Sequence, residues 1–280
     1  MEMGKKTVAV FMSIIENSMS PAGMVISGAM RAIRENGMAL ELVVCPFVYG
    51  HLKEKYERLS SKFCCGAIIF ALSERDMQEL EKQKLDIPIV VYNWTNGAFA
   101  SVYVDDYSGG MQAAGVFAQK GFRRVGLVSS CNPNKSNALR VQGYKDGCRR
   151  YGLELRDEWQ VCRSLGIDGG RAAAEIFLAE NGLPESLFVT NDEMALGILQ
   201  AFHRRKIWVP EKISILSYGG NEWNEMVTPS LSCIRLPIEK MSGACIELLQ
   251  SMLESGERMH ISRIFPLEIE YRESCTRPEE

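Results

Sequence analysis

A chain of 280 residues exceeds the usual size of one compact domain and predicts two lobes of roughly 100 to 150 residues each. With 46% hydrophobic and 24% charged residues, the composition is globular and excludes the disordered and fibrous classes. A formal charge of -3 leaves no surplus of Lys and Arg to neutralise phosphates, which argues against nucleic-acid binding by this chain alone.

Apolar runs of strand length alternate with segments of helical period. TVAVFM (7–12) reads as a buried strand, and residues 21–36 place Met24, Ile26, Ala29, Met30 and Ile33 at helical spacing before a stop at Gly37. Strands follow at 40–45, 66–70 (GAIIF) and 88–92 (PIVVY), with helices expected at 51–62 and 74–84. A second set begins after the strand at 101–104. It has helices at 107–120, 138–151, 169–180 and from Asp192, the expected N-cap, to Arg205, with strands at 124–129, 186–190 and 212–217. After Pro229 come a short strand (232–236), an amphipathic helix (238–254) and a last strand (268–271). Strands that are apolar without alternation, each followed by a helix, predict an α/β fold of two doubly wound parallel sheets.

No apolar run approaches ~18 residues and the start moves straight into a strand pattern, so no membrane span or signal peptide is expected and the chain reads as cytoplasmic. The nine Cys lack C-x-x-C spacing and read as buried free thiols, with a disulfide framework or metal site as the alternative. No phosphate-binding glycine motif and no nucleophile elbow is present, so neither a nucleotide cofactor nor a catalytic set is expected. His51, His203 and His260 stand in polar surroundings and read as surface histidines. The Gly109-Gly110 and Gly169-Gly170 pairs read as places where helix starts approach neighbouring backbone.

In an open parallel sheet, ligands sit outside the carboxyl ends of the strands, so residues just after each strand are the candidates. They are Ser13, Glu16, Asn17 and Ser18; Asn93 and Trp94; Asp105; Ser136 and Arg140; Asn191 and Asp192; and the turn from Gly219 to Trp223 that contains Glu222. Paired donors and acceptors beside an aromatic platform are what gripping a sugar requires. Six of these places have a structural alternative: Asp105 and Asp192 as helix caps, Asn191 as a turn residue, Arg140 as a solvated charge, Trp94 as packing, and Gly219-Gly220 as a turn needing positive φ.

Five segments in order, SPAGMVISGAMRAIRENG, VYVDDYSGGMQAAGVFAQKGFRRVGLVSS, ALRVQGYKDGCRRYGL, TNDEMALGILQAFHRRKIWVPEKISILSYGGNE and TPSLSCIRLPIEKMSGACIELL, resemble the effector-binding core of the lactose-repressor/galactose-repressor (LacI/GalR) family. The resemblance implies a type I periplasmic-binding-protein-like fold. Its lobes, 5–103 plus 235–262 and 104–234 plus 263–276, would be joined by three hinge crossovers and would close on a small molecule. It implies a transcription regulator acting as a homodimer, with a carbohydrate effector and with operator DNA contacted only through a helix-turn-helix headpiece; this sequence shows none, whether removed or naturally lacking. A solute-binding protein for carbohydrate uptake or chemoreception is the alternative. By resemblance Arg140, Asn191, Ser136 and Asp105 match ligand-contacting positions. Two departures stand out: Gly219-Gly220 replaces the family's Asp-Asp, and Asn93 stands where relatives often place Asp. The lost carboxylates imply a pocket with fewer acceptors, or one with room for a bulkier or acidic ligand near Arg140, with Glu222 as a partial replacement.

Overall fold

A computed structural model describes residues 5–14, 22–70, 72–94, 97–131, 134–179 and 182–276. The first elements are β1 (Lys6–Ile14), α1 (Ala22–Glu35), β2 (Leu40–Val48), β3 (Gly66–Phe70), α2 (Glu74–Glu81), β4 (Ile89–Tyr92) and β5 (Ala100–Val104). Then come α3 (Asp106–Gln119), β6 (Val125–Ser130), α4 (Lys135–Tyr151), β7 (Gln160–Arg163), α5 (Ile167–Ala179), β8 (Ser186–Val189), α6 (Asp192–Arg204) and β9 (Ser214–Gly219). The chain ends with β10 (Ser232–Arg235), α7 (Ile238–Ser255), β11 (Ser262–Phe265) and β12 (Glu268–Glu270).

The described residues up to Val104, with Pro237–Pro266, form one compact unit; Asp105–Leu236 and the residues from Leu267 onward form another. The first unit holds a six-stranded sheet in the order β11-β5-β4-β3-β1-β2, parallel throughout. All five residues of β3 are buried, as its unbroken apolar run requires of a strand covered on both faces. The second unit repeats the scheme as β12-β10-β9-β8-β6-β7, with only the β10/β12 pair antiparallel. In each sheet the strand order reverses once, at β1/β3 and at β6/β8, and such a switch point opens a crevice at the strand ends.

In the second unit α3 and α4 lie in backbone contact. A Cβ at Gly110 would come within 2.1 Å of the Arg140 carbonyl oxygen, and one at Gly143 within 2.0 Å of that of Tyr107. Only glycine permits this approach, and it seats the first turn of α3 against Arg140. Gly170 does the same for α5, where a Cβ would stand 2.0 Å from the Met194 carbonyl oxygen on α6. In the first unit α1 packs on α7.

Four expectations are corrected. Of the helix expected over 51–62, only a short 3-10 turn, Leu52–Arg58, forms. The buried Asp76 carboxylate takes the Gly50 and Leu52 amides at 2.9 Å each, and Ser61 is drawn onto Asp86, so the segment is pinned at both ends by side chains. β7 and β11 have no strand signal because both are edge strands that expose part of their length. Asp192 is not the cap of α6; Asn191 is, accepting from the Glu193 and Met194 amides at 2.9 and 3.2 Å. Cys131 and Cys162 are joined in a disulfide, and the other seven cysteines are free.

Candidate functional site

The carboxyl ends of the second unit's strands carry two connected polar clusters. The first centres on Arg140, in the second turn of α4. That helix begins at Lys135 because the Asn134 side chain accepts from the Asn137 amide at 2.8 Å. Opposite it, α3 is capped by Asp105, whose carboxylate takes the Ser108 amide at 2.9 Å and the Ser108 hydroxyl at 2.5 Å. Capping Asp105 outward leaves the next residue, Asp106, facing in at 3% exposure. Asp106 Oδ1 accepts Arg140 Nε at 2.7 Å and the Tyr218 hydroxyl at 2.8 Å. Arg140 Nη1 donates to the Thr190 carbonyl at 3.1 Å, and its guanidinium carbon lies 3.9 Å from the Tyr218 ring centroid. Nη2 has no hydrogen-bond partner among the described residues, and the side chain keeps 13% of its surface exposed.

Charge balance follows from these contacts. Burial works against the Arg140 cation, but the adjacent Asp106 carboxylate outweighs it and the guanidinium is held above its ordinary pKa. Burial, reinforced by Asp106, pushes the Tyr218 phenol well up, so it stays a neutral donor. The cluster is therefore a compensated ion pair with a neutral hydroxyl, and its net charge is zero. Beside it Asn137 Nδ2 donates to Thr190 Oγ1 at 2.8 Å, while Asn137 Oδ1 is buried without a partner among the described residues. Ser136 stands half-buried in the same first turn.

The second cluster organises the Gly219-Gly220 turn. Asp192, wholly buried, accepts the Ser217 hydroxyl on Oδ1 at 2.5 Å. On Oδ2 it accepts the Gly220 amide at 2.7 Å, the Asn221 amide at 3.0 Å and Asn221 Nδ2 at 2.9 Å. Gly219 and Gly220 have φ of 153° and 93°, a region that disfavours any side chain. The turn's carboxylate thus comes from α6, and both of its oxygens accept donors from the protein. Glu222, exposed at the start of the 3-10 turn Glu222–Glu225, takes no part in it.

In the first unit, Ser13 near the end of β1 is 8% exposed, and its hydroxyl has no partner among the described residues. Asn93 follows β4 at φ 51° and ties that strand to β5: its amide donates to the Val102 carbonyl at 2.7 Å, and its Oδ1 accepts the Val104 amide at 3.2 Å. Trp94 is 8% exposed and packs in this unit's hydrophobic core with Phe11, Phe47 and Leu72. Asn17 and Ser18 lie outside the described residues.

The structure therefore groups Arg140 and Ser136 at one strand-end cluster, gives capping duties to Asp105 and Asn191, and leaves Glu222 apart. Reading the sequence missed Asp106, Tyr218, Asn137 and Thr190. Asp106 was hidden behind the better capping candidate beside it, and Tyr218 meets it across 112 positions, which no local pattern reports. Among the described residues no group of three or more His, Cys, Asp or Glu could hold a metal ion, and no helix is long and apolar enough to cross a membrane.

A family model described as a periplasmic binding protein-like domain matches residues 114–275. The chain is 25% identical over 227 residues to the ribose operon repressor of Escherichia coli K12, covering 80% of this chain and 69% of that protein. It is similar to the crystal structure of a LacI family transcription regulator from Clostridium acetobutylicum at 26% identity and a TM-score of 0.87, covering 94% of this chain and 99% of that one. The fold also matches a LacI family transcriptional regulator from Enterococcus faecium with bound ribose, at 23% identity and a TM-score of 0.81, over 98% of this chain and all of the other.

Proposed function

We propose a function from one premise: the chain belongs to the family of periplasmic-binding-protein-like domains. Its relatives are repressors, and we read it as the effector-binding core of a LacI-family transcription regulator. Arg140, Ser136 and Asn137 in the second unit are the polar groups that support this reading; Ser13, Asn93, Asn17 and Ser18 stay in the candidate set on the sequence pattern alone.

The observation that carries the reading is the Arg140–Asp106–Tyr218 cluster. A guanidinium locked by three contacts, with Nη2 to spare, is a pre-oriented donor for a hydroxyl or ring oxygen. Because Asp106 already balances its charge, the site favours a neutral polyol over a sugar acid. Ribose bound to a structural neighbour and the ribose operon repressor among the relatives support a pentose or similar sugar. Effector occupancy would alter operator binding by a homodimer through a DNA-binding headpiece. That its relatives are transcriptional repressors supports a binding role.

The experiment is thermal unfolding against neutral sugars, sugar phosphates, nucleosides and sugar acids. A ligand at 100 times its dissociation constant stabilises the fold by roughly 2.7 kcal/mol. The expected result is a raised midpoint with a neutral sugar that is lost in Arg140→Lys. A midpoint raised only by acidic compounds would sink the neutral-polyol reading, and none raised by any sugar would sink the carbohydrate reading.

A further inference from the structure

Cys131 and Cys162 differ from the other cysteines in place and surroundings. Six of the seven free thiols are buried and Cys65 is half-buried, whereas Cys131 and Cys162 are both exposed. Burial pushes the thiols of Cys64 and Cys275 up to about 11 and those of Cys148 and Cys233 up to about 12, so these stay protonated and unreactive.

The sheet brings the exposed pair together. Cys162 stands opposite Ser129 in the parallel β6/β7 ladder, and Cys131 lies two residues beyond Ser129, so strand alternation puts its side chain on the same face as that of Cys162. The Cys131 amide donates to the Arg163 carbonyl at 2.9 Å, continuing the ladder past the end of β6. The Cα atoms are 5.0 Å apart, within the span a disulfide bridges. The covalent link closes a long stretch of chain: the two residues are 31 apart in sequence. That stretch contains the whole of α4, which carries Ser136, Asn137 and Arg140. Strand β7 is an edge strand of four residues, held on one side only by β6.

We propose that Cys131 and Cys162 form a reversible dithiol–disulfide modification site, oxidised by low-molecular-weight disulfides, that fastens edge strand β7 to the end of β6 and thereby fixes the start of α4. Its bearing on effector binding rests on the function proposed above; the chemistry does not. One cysteine thiolate attacks the oxidant's S–S bond, forming a mixed disulfide and releasing one small thiol. The second cysteine's thiolate then attacks the protein sulfur of that mixed disulfide, forming the Cys131–Cys162 bond and releasing a second small thiol. The protein loses two electrons, the oxidant gains them, and the two cysteine protons end on the two released thiols.

The test uses the full chain without any sugar, treated with oxidised glutathione or with a phosphine reductant, then unfolded, alkylated and mapped by mass spectrometry. The reduced chain should show nine alkylated cysteines, and the oxidised chain seven with a Cys131–Cys162 cross-linked peptide. Oxidation should raise the unfolding midpoint by roughly 5–10 °C and slow amide exchange severalfold in residues 134–140. Cys131→Ser and Cys162→Ser, both at exposed positions, should fold normally and show neither effect, while Cys65→Ser should behave as the unaltered chain does. Nine alkylated cysteines after oxidation, a cross-link between other residues, or a midpoint and exchange pattern indifferent to oxidation would overturn the proposal. A failed sugar panel would leave these readouts untouched and would count against the effector reading alone.

Discussion

The carboxylate of Asp192 stands where a side chain at Gly219 would have to go. A Cβ on Gly219 would lie 2.4 Å from Asp192 Oδ2, the same oxygen that accepts the Gly220 amide at 2.7 Å. An acid in this turn, which the family resemblance leads one to expect, is thus excluded by an acid on α6 that the turn itself requires. Gly219→Asp should therefore destabilise the fold by roughly 2–4 kcal/mol, from backbone strain and overpacking together. It should also gain no sugar affinity. Urea unfolding with and without the sugar panel measures both, and a variant as stable as the parent would show that the turn can be rebuilt around a side chain.

Asp192 itself should be among the most sensitive positions in the second unit. Asp192→Asn keeps the volume but places an amide donor among donors. With the amide nitrogen on the Oδ2 side, the N–H groups at Gly220 and Asn221 lose their acceptor; with it on the Oδ1 side they keep a neutral carbonyl in place of the carboxylate, while the Ser217 hydroxyl turns to the Ser232 carbonyl at 3.3 Å. The expected loss is about 2–4 kcal/mol, against about 1 kcal/mol for Ser217→Ala, which removes one donor and leaves the rest satisfied. Equal losses in the two variants, measured by denaturant midpoint, would contradict this division of labour.

Removing Arg140 costs more than ligand binding. Arg140→Ala also strips the cation from Asp106, which is 3% exposed. Breaking a buried pair from one side costs about 3–5 kcal/mol, because the remaining charge stays buried. Asp106→Ala should cost a similar amount, and the double variant less than the sum, with a coupling above ~1 kcal/mol. Additive losses in a double-mutant cycle would mean that the two side chains do not depend on each other.

Most of the fold was legible because it is written in local signals. Unbroken apolar strands such as GAIIF mark sheets covered on both faces, and glycines at 110 and 170 mark helices in backbone contact. What stayed hidden depends on partners far along the chain. QVCR carries no strand signal until β6 lies beside it, and the helical period at 51–62 yields to the Asp76 carboxylate more than twenty residues later. The candidate site divides the same way. Arg140 was visible at its helix start, but its neutralisation by Asp106, on which the proposed neutral ligand rests, appears only through a contact across 34 positions.

Acid should loosen the second unit at the amino ends of its strands, opposite the candidate site, where Glu185 joins three strand starts. Its Oε2 accepts the Arg123 and Arg124 amides at 2.7 and 3.0 Å before β6, its own amide donates to the Arg124 carbonyl, and its carbonyl receives the Ser214 amide at the start of β9. The Arg124 amide foremost, and then that of Arg123, hold the Glu185 carboxyl below its ordinary range in spite of partial burial. At Glu270 burial pushes the carboxyl up, but hydrogen bonds from Arg235 and Arg272 outweigh it, and that group too is depressed. A depressed carboxyl contributes stability that is fully present above the unfolded value of about 4.3 and is lost as pH falls through the lower folded value. The unfolding midpoint should therefore drop between about pH 5 and 3, and Glu185→Gln should start lower at neutral pH and lose less over that range. A Glu185→Gln profile parallel to that of the unaltered chain would place the acid sensitivity on other carboxylates.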